Sequence, residues 1–159
     1  HIWCRSDTSR GRIKNAGLSR LFYTLRAMFL FDSHAHIDTQ SYPYPHVFDA
    51  KCFPVVAVAT SLDNSKQLTN LYSKQNNPHL YPFIGIHPWF VSQECMADIH
   101  QFEGMITTIP GISGIGEIGL DFYHNAHNKQ LQLDCFSLQL SLAKQYDLPV
   151  SIHCMIGLD

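Results

Sequence analysis

Five short apolar segments recur along residues 28–159, and they constrain the fold more than any other feature of this sequence. They are rich in β-branched and aromatic residues and span 28–31, 53–60, 80–86, 112–118 and 148–152. Segments of this kind are typical of strands that are buried on both faces of a parallel sheet. Between them, amphipathic segments at 62–75, 93–108 and 128–146 predict helices. This alternation predicts an α/β protein built from β/α units.

Two of the predicted helices carry an apolar stripe at helical spacing. In the helix over 93–108 the stripe is formed by Met96, Ile99, Phe102 and Ile106. In the helix over 128–146 it is formed by Leu133, Phe136, Leu140 and Ala143. We expect Gln132 and Gln139 to lie outside or beside this second stripe.

The cysteines and the hydropathy pattern bear on the compartment. Five cysteines, at positions 4, 52, 95, 135 and 154, are widely spaced and form no C-x-x-C pair. This disfavours a disulfide scaffold or a structural zinc site, and it predicts a reducing, cytoplasmic location with most cysteines as small buried hydrophobes. Cys154 follows His153 directly, so we expect it to face the other way and to be structural. No apolar run approaches the ~18 residues that span a bilayer, and no membrane association is expected.

The charge is distributed unevenly along the chain. Residues 1–27 contain six basic side chains and one acidic one, whereas 28–159 contain five basic and twelve acidic ones. We interpret 1–27 as an extension foreign to the domain, either in-frame upstream sequence or a disordered tail. An arginine-rich transit peptide is the alternative. The acidic remainder shows no basic stripe, which disfavours a surface for duplex nucleic acid.

Histidines and carboxylates follow or end four of the five predicted strands. Asp32, His34 and His36 follow the first, His87 ends the third, Glu117 and Asp121 lie at the end of the fourth, and His153 ends the fifth. Because the carboxyl ends of parallel strands share one rim in β/α folds, these side chains are predicted to meet there. That rim is where active sites of such folds lie.

The residue types at the rim favour metal binding. His34 and His36 are two residues apart, so an extended backbone places both imidazoles on one side, where they can hold one transition-metal ion. Glu117 lies among glycines and aliphatic residues, and its burial requires an ion or an ion pair in compensation. The alternatives are exposed loop histidines for the pair and a surface turn for Glu117.

The other rim residues allow more than one role. His153 is a ligand or a hydrogen-bonded core histidine, and His87 contacts substrate or closes a turn. Asp121 is a ligand, an acid that orients one, or a helix cap. Five further histidines are assigned no chemistry: His46, His79, His100, His124 and His127.

Several of these motifs together resemble the TatD family of metal-dependent hydrolases. They are residues 31–38, 85–88 and 114–121, followed by the stretch from Gln132 to His153, and they occur in family order. The resemblance implies a TIM barrel, of which this chain would supply about five of eight β/α units. It implies that His34 and His36 bind one metal, that Glu117 bridges two and takes part in catalysis, and that His153 binds the second.

The same resemblance implies a cofactor, a substrate and a role for the remaining rim residues. The cofactor would be a divalent metal, with two ions of Mg, Mn, Co or Zn in a complete site. The substrate would be DNA or a small phosphodiester, and no protein partner is predicted. His87, Asp121 and Asp32 would contact substrate or support the ligands.

Departures from the family pattern leave the activity of this chain open. We expect residues 28–154 to be the N-terminal part of the barrel and 155–159 to be a divergent tail. The family's later histidine ligand and last-strand aspartate have no counterpart here, so we expect little activity from this chain alone. A fifth strand without a neighbour is also expected to promote association. The alternatives are another amidohydrolase acting on amides or esters, in which Glu117 would stand where many members have a lysine, and a non-catalytic fragment.

Overall fold

The computed structural model describes residues 31–37, 54–75, 77–124 and 128–155, and all the following statements concern these residues. The strands are β1 (Asp32–Ala35), β2 (Val55–Val58), β3 (Leu80–Ile84), β4 (Gly114–Asp121) and β5 (Val150–Met155). The helices are α1 (Leu62–Gln75), α2 (Cys95–Thr108) and α3 (Lys129–Gln145), and a short 3₁₀ turn, Pro88–Phe90, follows β3. The predicted extension over 1–27 and residues 156–159 lie outside this range.

The strands form one parallel sheet in the order β1-β2-β3-β4-β5. The sheet is curved, because His34 on β1 and Ser151 on β5, the two outermost strands, approach to 3.1 Å between Nδ1 and Oγ. The predicted α/β alternation is therefore confirmed. Every residue of β2 is buried, as expected for a strand covered on both faces.

The strand bounds differ from the predicted ones, and the differences at β1 and β4 bear on the rim. Of the first predicted strand, 28–31, residues 28–30 lie outside the described residues; β1 is described from Asp32, whose N–H donates to the carbonyl of Pro54 at 2.9 Å. The fourth was predicted to end at 118, yet β4 continues to Asp121, because that residue pairs with Met155 on β5. Consequently several rim side chains lie within strands rather than after them.

The main core lies between β3, β4 and the helices α2 and α3. Fully buried side chains there include Ile84, Phe102, Ile115, Ile118 and Cys135. Ile99 and Phe102 of the predicted α2 stripe are buried, and Ile106 packs against the same core. The side chain of Met96 lies outside the described residues.

The predicted burial pattern of α3 is wrong for two of its four glutamines. Gln132 and Gln139 are fully buried, whereas Leu133 and Leu140 of the predicted stripe are exposed. Each of these two glutamines hydrogen-bonds both the backbone N–H and the backbone C=O of one residue outside the helix.

The carbonyl oxygen of Gln139 accepts the Ile86 N–H at 2.8 Å and its amide donates to the Ile86 C=O at 3.2 Å. Gln132 binds Asp121 in the same way, at 2.8 and 3.2 Å. Buried backbone groups beyond the strand ladder need such partners, and this requirement outweighs hydropathy.

Replacing Gln139 by leucine is expected to lower the free energy of unfolding by about 2–4 kcal/mol, because it leaves the N–H and C=O of Ile86 buried without partners. Denaturant titration followed by circular dichroism measures the change. The matched control is Gln130→Leu, since Gln130 is exposed on the same helix and bonds only Asp134 among the hydrogen bonds seen. Equal effects of the two substitutions would contradict this role.

Gly119 allows β4 and β5 to approach closely. Its φ is 146°, and a Cβ there would collide with the carbonyl oxygen of His153. Residues other than glycine rarely adopt this backbone conformation. The atom that a Cβ would meet belongs to the backbone of His153, which cannot move aside as a flexible side chain could. The strand that carries Glu117 thus needs glycine at this position to lie beside the strand that carries His153.

Gly119→Ala is expected to destabilise the fold by about 2 kcal/mol or more through this clash and the unfavourable φ. Gly104→Ala is the control, because Gly104 lies within α2 and nothing would meet its Cβ within 4 Å. That control is expected to stabilise by about 0.5–1 kcal/mol through helix propensity. Thermal unfolding of both variants measures whether the midpoint falls for Gly119→Ala and rises for Gly104→Ala.

The outer face of β5 is exposed. Val150, Ile152 and Cys154 alternate with the half-buried Ser151 and His153. Of the five cysteines, Cys135 is buried, as predicted for most of them, and Cys154 is exposed on this face; the side chains of the other three lie outside the described residues. Cys154 does face away from His153, as predicted. Among the described residues, none of the helices has the length and apolar character needed to cross a bilayer.

Candidate metal centre

His34 and His36 present their Nε2 atoms to the same point. These two nitrogens are 3.4 Å apart, as the alternation along β1 predicted. Nδ1 of His36 lies 3.1 Å from the carbonyl oxygen of Val58, and Nδ1 of His34 lies 3.1 Å from Oγ of Ser151. Since a carbonyl can only accept, the neutral ring of His36 carries its proton on Nδ1 and has a lone pair on Nε2. This is the tautomer of a metal ligand.

Glu117 lies between two groups of histidines. Its Oε2 is 3.6 Å from Nε2 of His34 and 3.3 Å from Nε2 of His36. Its Oε1 is 3.3 Å from Nδ1 of His153 and 3.9 Å from Nε2 of His87. The side chain is only 13% exposed. The single carboxylate therefore turns one oxygen towards each group.

The backbone around Glu117 explains why its side chain reaches this position. The β4–β5 register shifts between Ile115 and Ile118, which places Glu117 in a bulge. Gly116, just before it, has φ 146°, and the N–H of Glu117 donates to the carbonyl of Ala59 at 2.9 Å. Bulges commonly redirect a side chain next to a functional site.

His153 is oriented by Asp121. Nε2 of His153 lies 3.2 Å from Oδ2 of Asp121, so this nitrogen donates to the carboxylate. The lone pair of a neutral ring then lies on Nδ1, the atom that faces Glu117. A histidine that donates its other N–H to a carboxylate is the usual arrangement of a metal ligand.

Asp121 is fully buried and accepts from several donors. They are the Trp89 indole at 2.5 Å, the His124 ring at 2.9 Å, and the backbone N–H groups of His124 and Tyr123 at 2.9 and 3.1 Å. Burial acts to raise the pKa of this carboxyl, but the hydrogen bonds outweigh it and hold the pKa well below its usual range. Asp121 is therefore an ionised carboxylate at neutral pH.

His87 differs from the other histidines in its tautomer. Its Nδ1 accepts the backbone N–H of Trp89 at 3.1 Å, which closes the 3₁₀ turn. Burial lowers the pKa of His87 to about 4, although the neighbouring Glu117 carboxylate acts in the opposite direction. A neutral ring that accepts at Nδ1 carries its proton on Nε2. His87 therefore presents a donor to the centre.

Asp32 belongs to neither group of candidate ligands. It is exposed, and its Oδ1 accepts the backbone N–H of His34 at 3.1 Å. It thus supports the start of β1. Sequence reasoning missed three side chains that the fold adds around the centre, namely Trp89, His124 and Ser151. Only the position of His124, three residues after Asp121, gave a local signal, since a turn brings such residues together.

The donor set fits divalent metal ions. Two groups of three residues, His34–His36–Glu117 and His87–Glu117–His153, have ligand atoms within 4.8 Å of one another. Two atoms that bind one ion tetrahedrally at ~2.0–2.1 Å lie about 3.4 Å apart. The contacts in the first group range from 3.3 to 3.6 Å. The second group has only His153 and Glu117 at this spacing, because His87 is farther away and offers a proton.

A parallel β/α sheet with two such groups sharing one glutamate defines a candidate metal-dependent hydrolase. Comparison with known proteins agrees with this class. The family model described as TatD related DNase matches residues 31–156, and the chain belongs to this family.

Individual relatives support the family membership and the fold. The chain is 34% identical over 100 residues to a protein of Citrobacter rodentium named 3'-5' ssDNA/RNA exonuclease TatD, covering 63% of this chain and 37% of that protein. It is 32% identical over 131 residues to an uncharacterized metal-dependent hydrolase of Haemophilus influenzae, covering 78% and 51%.

The crystal structure of the TatD homolog YjjV from Escherichia coli superposes with a TM-score of 0.63 at 26% identity, covering 78% of this chain and 50% of that one. The predicted family and the partial TIM barrel are thereby confirmed. The chain spans about half or less of the length of these relatives.

Proposed function

We propose that this chain carries the two-metal centre of a hydrolase that cleaves phosphodiester bonds in single-stranded nucleic acid. The observation that carries the proposal is the position of the Glu117 carboxylate. One of its oxygens faces His34 and His36, and the other faces His153. With neutral rings, the lone pairs of His36 and His153 would face this carboxylate at 3.3 Å, and a cation between these atoms removes that repulsion.

Each residue has a distinct role in this proposal. His34 and His36 would hold one ion, His153 would hold the other, and Glu117 would be shared by the two. When bound, a pair of divalent ions supplies an activated water at neutral pH and neutralises charge on the scissile phosphate. Asp121 keeps the His153 proton on Nε2. His87 directs its Nε2 proton at Glu117 or at a phosphate oxygen.

The substrate assignment rests on the charges of the described chain and on the relatives. The described residues contain four lysines, Lys66, Lys74, Lys129 and Lys144, and no arginine. None of these lysines contacts the candidate centre in the ion pairs and hydrogen bonds seen: Lys66 bonds Gln101, and Lys129 lies over the Phe122 ring. Phosphate would therefore be held by the ions. The choice of a single-stranded substrate follows the C. rodentium relative, which is named as an ssDNA/RNA exonuclease.

The identity of the ions follows the ligand types. Mixed imidazole and carboxylate ligands suit Mn, Co or Zn, and carboxylates also accept Mg. We propose that the three imidazoles favour Mn, Co or Zn over Mg. Calorimetric titration of the chelator-treated chain with each metal ranks the affinities. Tighter binding of Mg than of Mn would contradict this ranking.

Hydrolysis is tested with a single-stranded oligonucleotide and Mn after removal of metal with a chelator. Cleavage that requires added metal and is lost in Glu117→Gln supports the proposal. The same assay tests the expectation that this chain alone cleaves weakly. Metal-dependent hydrolysis of an ester or an amide, with the oligonucleotide left intact, would favour the other amidohydrolase class. Failure to bind any divalent metal would refute the proposed centre.

A further inference from the structure

Three exposed aromatic side chains stand at the edge of the candidate metal centre. Trp89, Phe90 and Tyr123, here called the aromatic ledge, are 51%, 53% and 67% exposed. Several exposed aromatic rings in one region of a surface commonly mark a binding site. The ledge is therefore a candidate site beyond the metal ligands.

The ledge is continuous with the centre through histidine rings. The Trp89 ring lies 6.3 Å from that of His153 and 5.1 Å from that of His124. The Tyr123 ring lies 4.8 Å from that of His124, and the Phe90 ring lies 6.3 Å from that of His87. Each ring of the ledge thus lies beside a histidine ring at or next to the centre.

The ledge is also held in place by the residues that build the centre. The Trp89 indole donates to Asp121, and the Tyr123 backbone N–H donates to the other oxygen of the same carboxylate. The Phe90 N–H donates to the carbonyl of His87 at 2.9 Å. Among the three, Trp89 is held through its side chain, and a side chain held in place loses little conformational entropy when it binds a ligand.

We propose that the aromatic ledge stacks the bases of a single-stranded nucleic acid whose phosphate lies at the metal centre. This inference rests on the proposed function and specifies how that site recognises its substrate. Aromatic side chains bind any base through its π-face, and only unpaired bases offer that face. Recognition through bases also suits a described surface with few cations, since little binding energy is available there from the phosphate backbone.

A protein partner is the other possible occupant of exposed aromatics. Nucleic acid is favoured because the ledge begins at residues of the centre, where a phosphodiester would have to lie. The spacing of the rings, 5.1 and 4.8 Å from His124, keeps the surface within reach of neighbouring nucleotides of one strand. The ledge and the metals would then contact the same substrate molecule.

The test uses the intrinsic fluorescence of Trp89. The chain contains two tryptophans, Trp3 and Trp89, so a Trp3→Phe variant reports on Trp89 alone. This variant is titrated in a chelator, which prevents cleavage, with a short oligothymidylate and with an abasic oligonucleotide of equal length. We expect quenching by the oligothymidylate and little by the abasic strand, which has the same phosphates without bases. Equal responses, or no response to either, would overturn the proposal.

Variants of Tyr123 separate stacking from structure. In the Trp3→Phe background, Tyr123→Ala is expected to weaken binding of the oligothymidylate by about 5- to 100-fold, the loss of one stacked base. Tyr123→Phe keeps the ring and is expected to bind as the parent does. If Tyr123→Ala bound the oligothymidylate as tightly as its parent, the proposed base stacking would be wrong.

Calorimetry with Mn distinguishes this inference from the proposed function. Base-dependent quenching without metal binding would support base stacking on the ledge and refute the metal centre. Metal binding without base-dependent quenching would support the metal centre and refute base stacking.

Discussion

Glu117→Gln is expected to reduce the affinity for divalent metal by more than about 100-fold and to lower the number of ions bound. Substitution of groups that merely orient metal ligands costs 10- to 100-fold in affinity, and a shared ligand should cost more. The glutamine amide has one oxygen, whereas Glu117 turns one oxygen to His34 and His36 and the other to His153. Its NH₂ group would face one histidine group and supply no lone pair. Titration calorimetry with Mn or Zn measures both affinity and stoichiometry.

The control for this substitution is Glu94→Gln. Glu94 is exposed at the start of α2, and its carboxylate accepts from Ser92 at 2.6 Å, away from the centre. The same loss of charge there should leave metal binding unchanged. His34→Ala gives a second test, since it removes a ligand of the first group only. If Glu117→Gln bound two ions with the parent's affinity, the bridging role would be wrong.

Asp121→Asn is expected to weaken binding at the His153 side of the centre by about 10- to 100-fold, with binding at the His34–His36 side retained. The carboxylate accepts from three side chains, those of Trp89, His124 and His153. An asparagine keeps one oxygen, and its NH₂ group would oppose a donor. His153 would lose the partner that keeps its proton on Nε2, so that Nδ1 no longer presents a lone pair to Glu117.

Two readouts separate this positioning role from general destabilisation. Metal bound at the His34–His36 side reports that the fold persists, and nitrogen NMR of the imidazoles reports the tautomer of His153. Asp134→Asn is the matched control, because Asp134 is exposed on α3 and bonds Gln130. An unchanged tautomer together with weakened metal binding would show that Asp121 acts in another way.

Much of the frame could be predicted from the sequence. Apolar runs separated by amphipathic segments report burial directly, because each strand of a parallel sheet is covered on both faces. The α1 boundaries, Leu62–Gln75, agree with the structure at both ends. Period-two spacing likewise placed His34 and His36 on one side of β1, since alternation is a property of the strand itself.

The strand boundaries could not be predicted in the same way, and neither could the buried face of α3. The apolar run 112–118 suggested that the fourth strand ends at 118, while pairing with β5 decided that β4 continues to Asp121. Gln132 is hydrophilic and yet buried, because it hydrogen-bonds both the backbone N–H and the C=O of Asp121. Hydropathy describes transfer from water, and it does not register a polar partner supplied by a distant segment.

The sequence by itself indicated most of the side chains that meet at the carboxyl edge of the sheet, and the fold added Trp89, His124 and Ser151 to them. Tertiary structure alone decided which atom each of them presents. The carbonyl of Val58 sets the tautomer of His36, Asp121 orients His153, and the N–H of Trp89 makes His87 a donor. The physical reason is that a histidine's neutral form is set by the hydrogen bond at its other nitrogen, and here β2, β4 and the turn after β3 supply those partners.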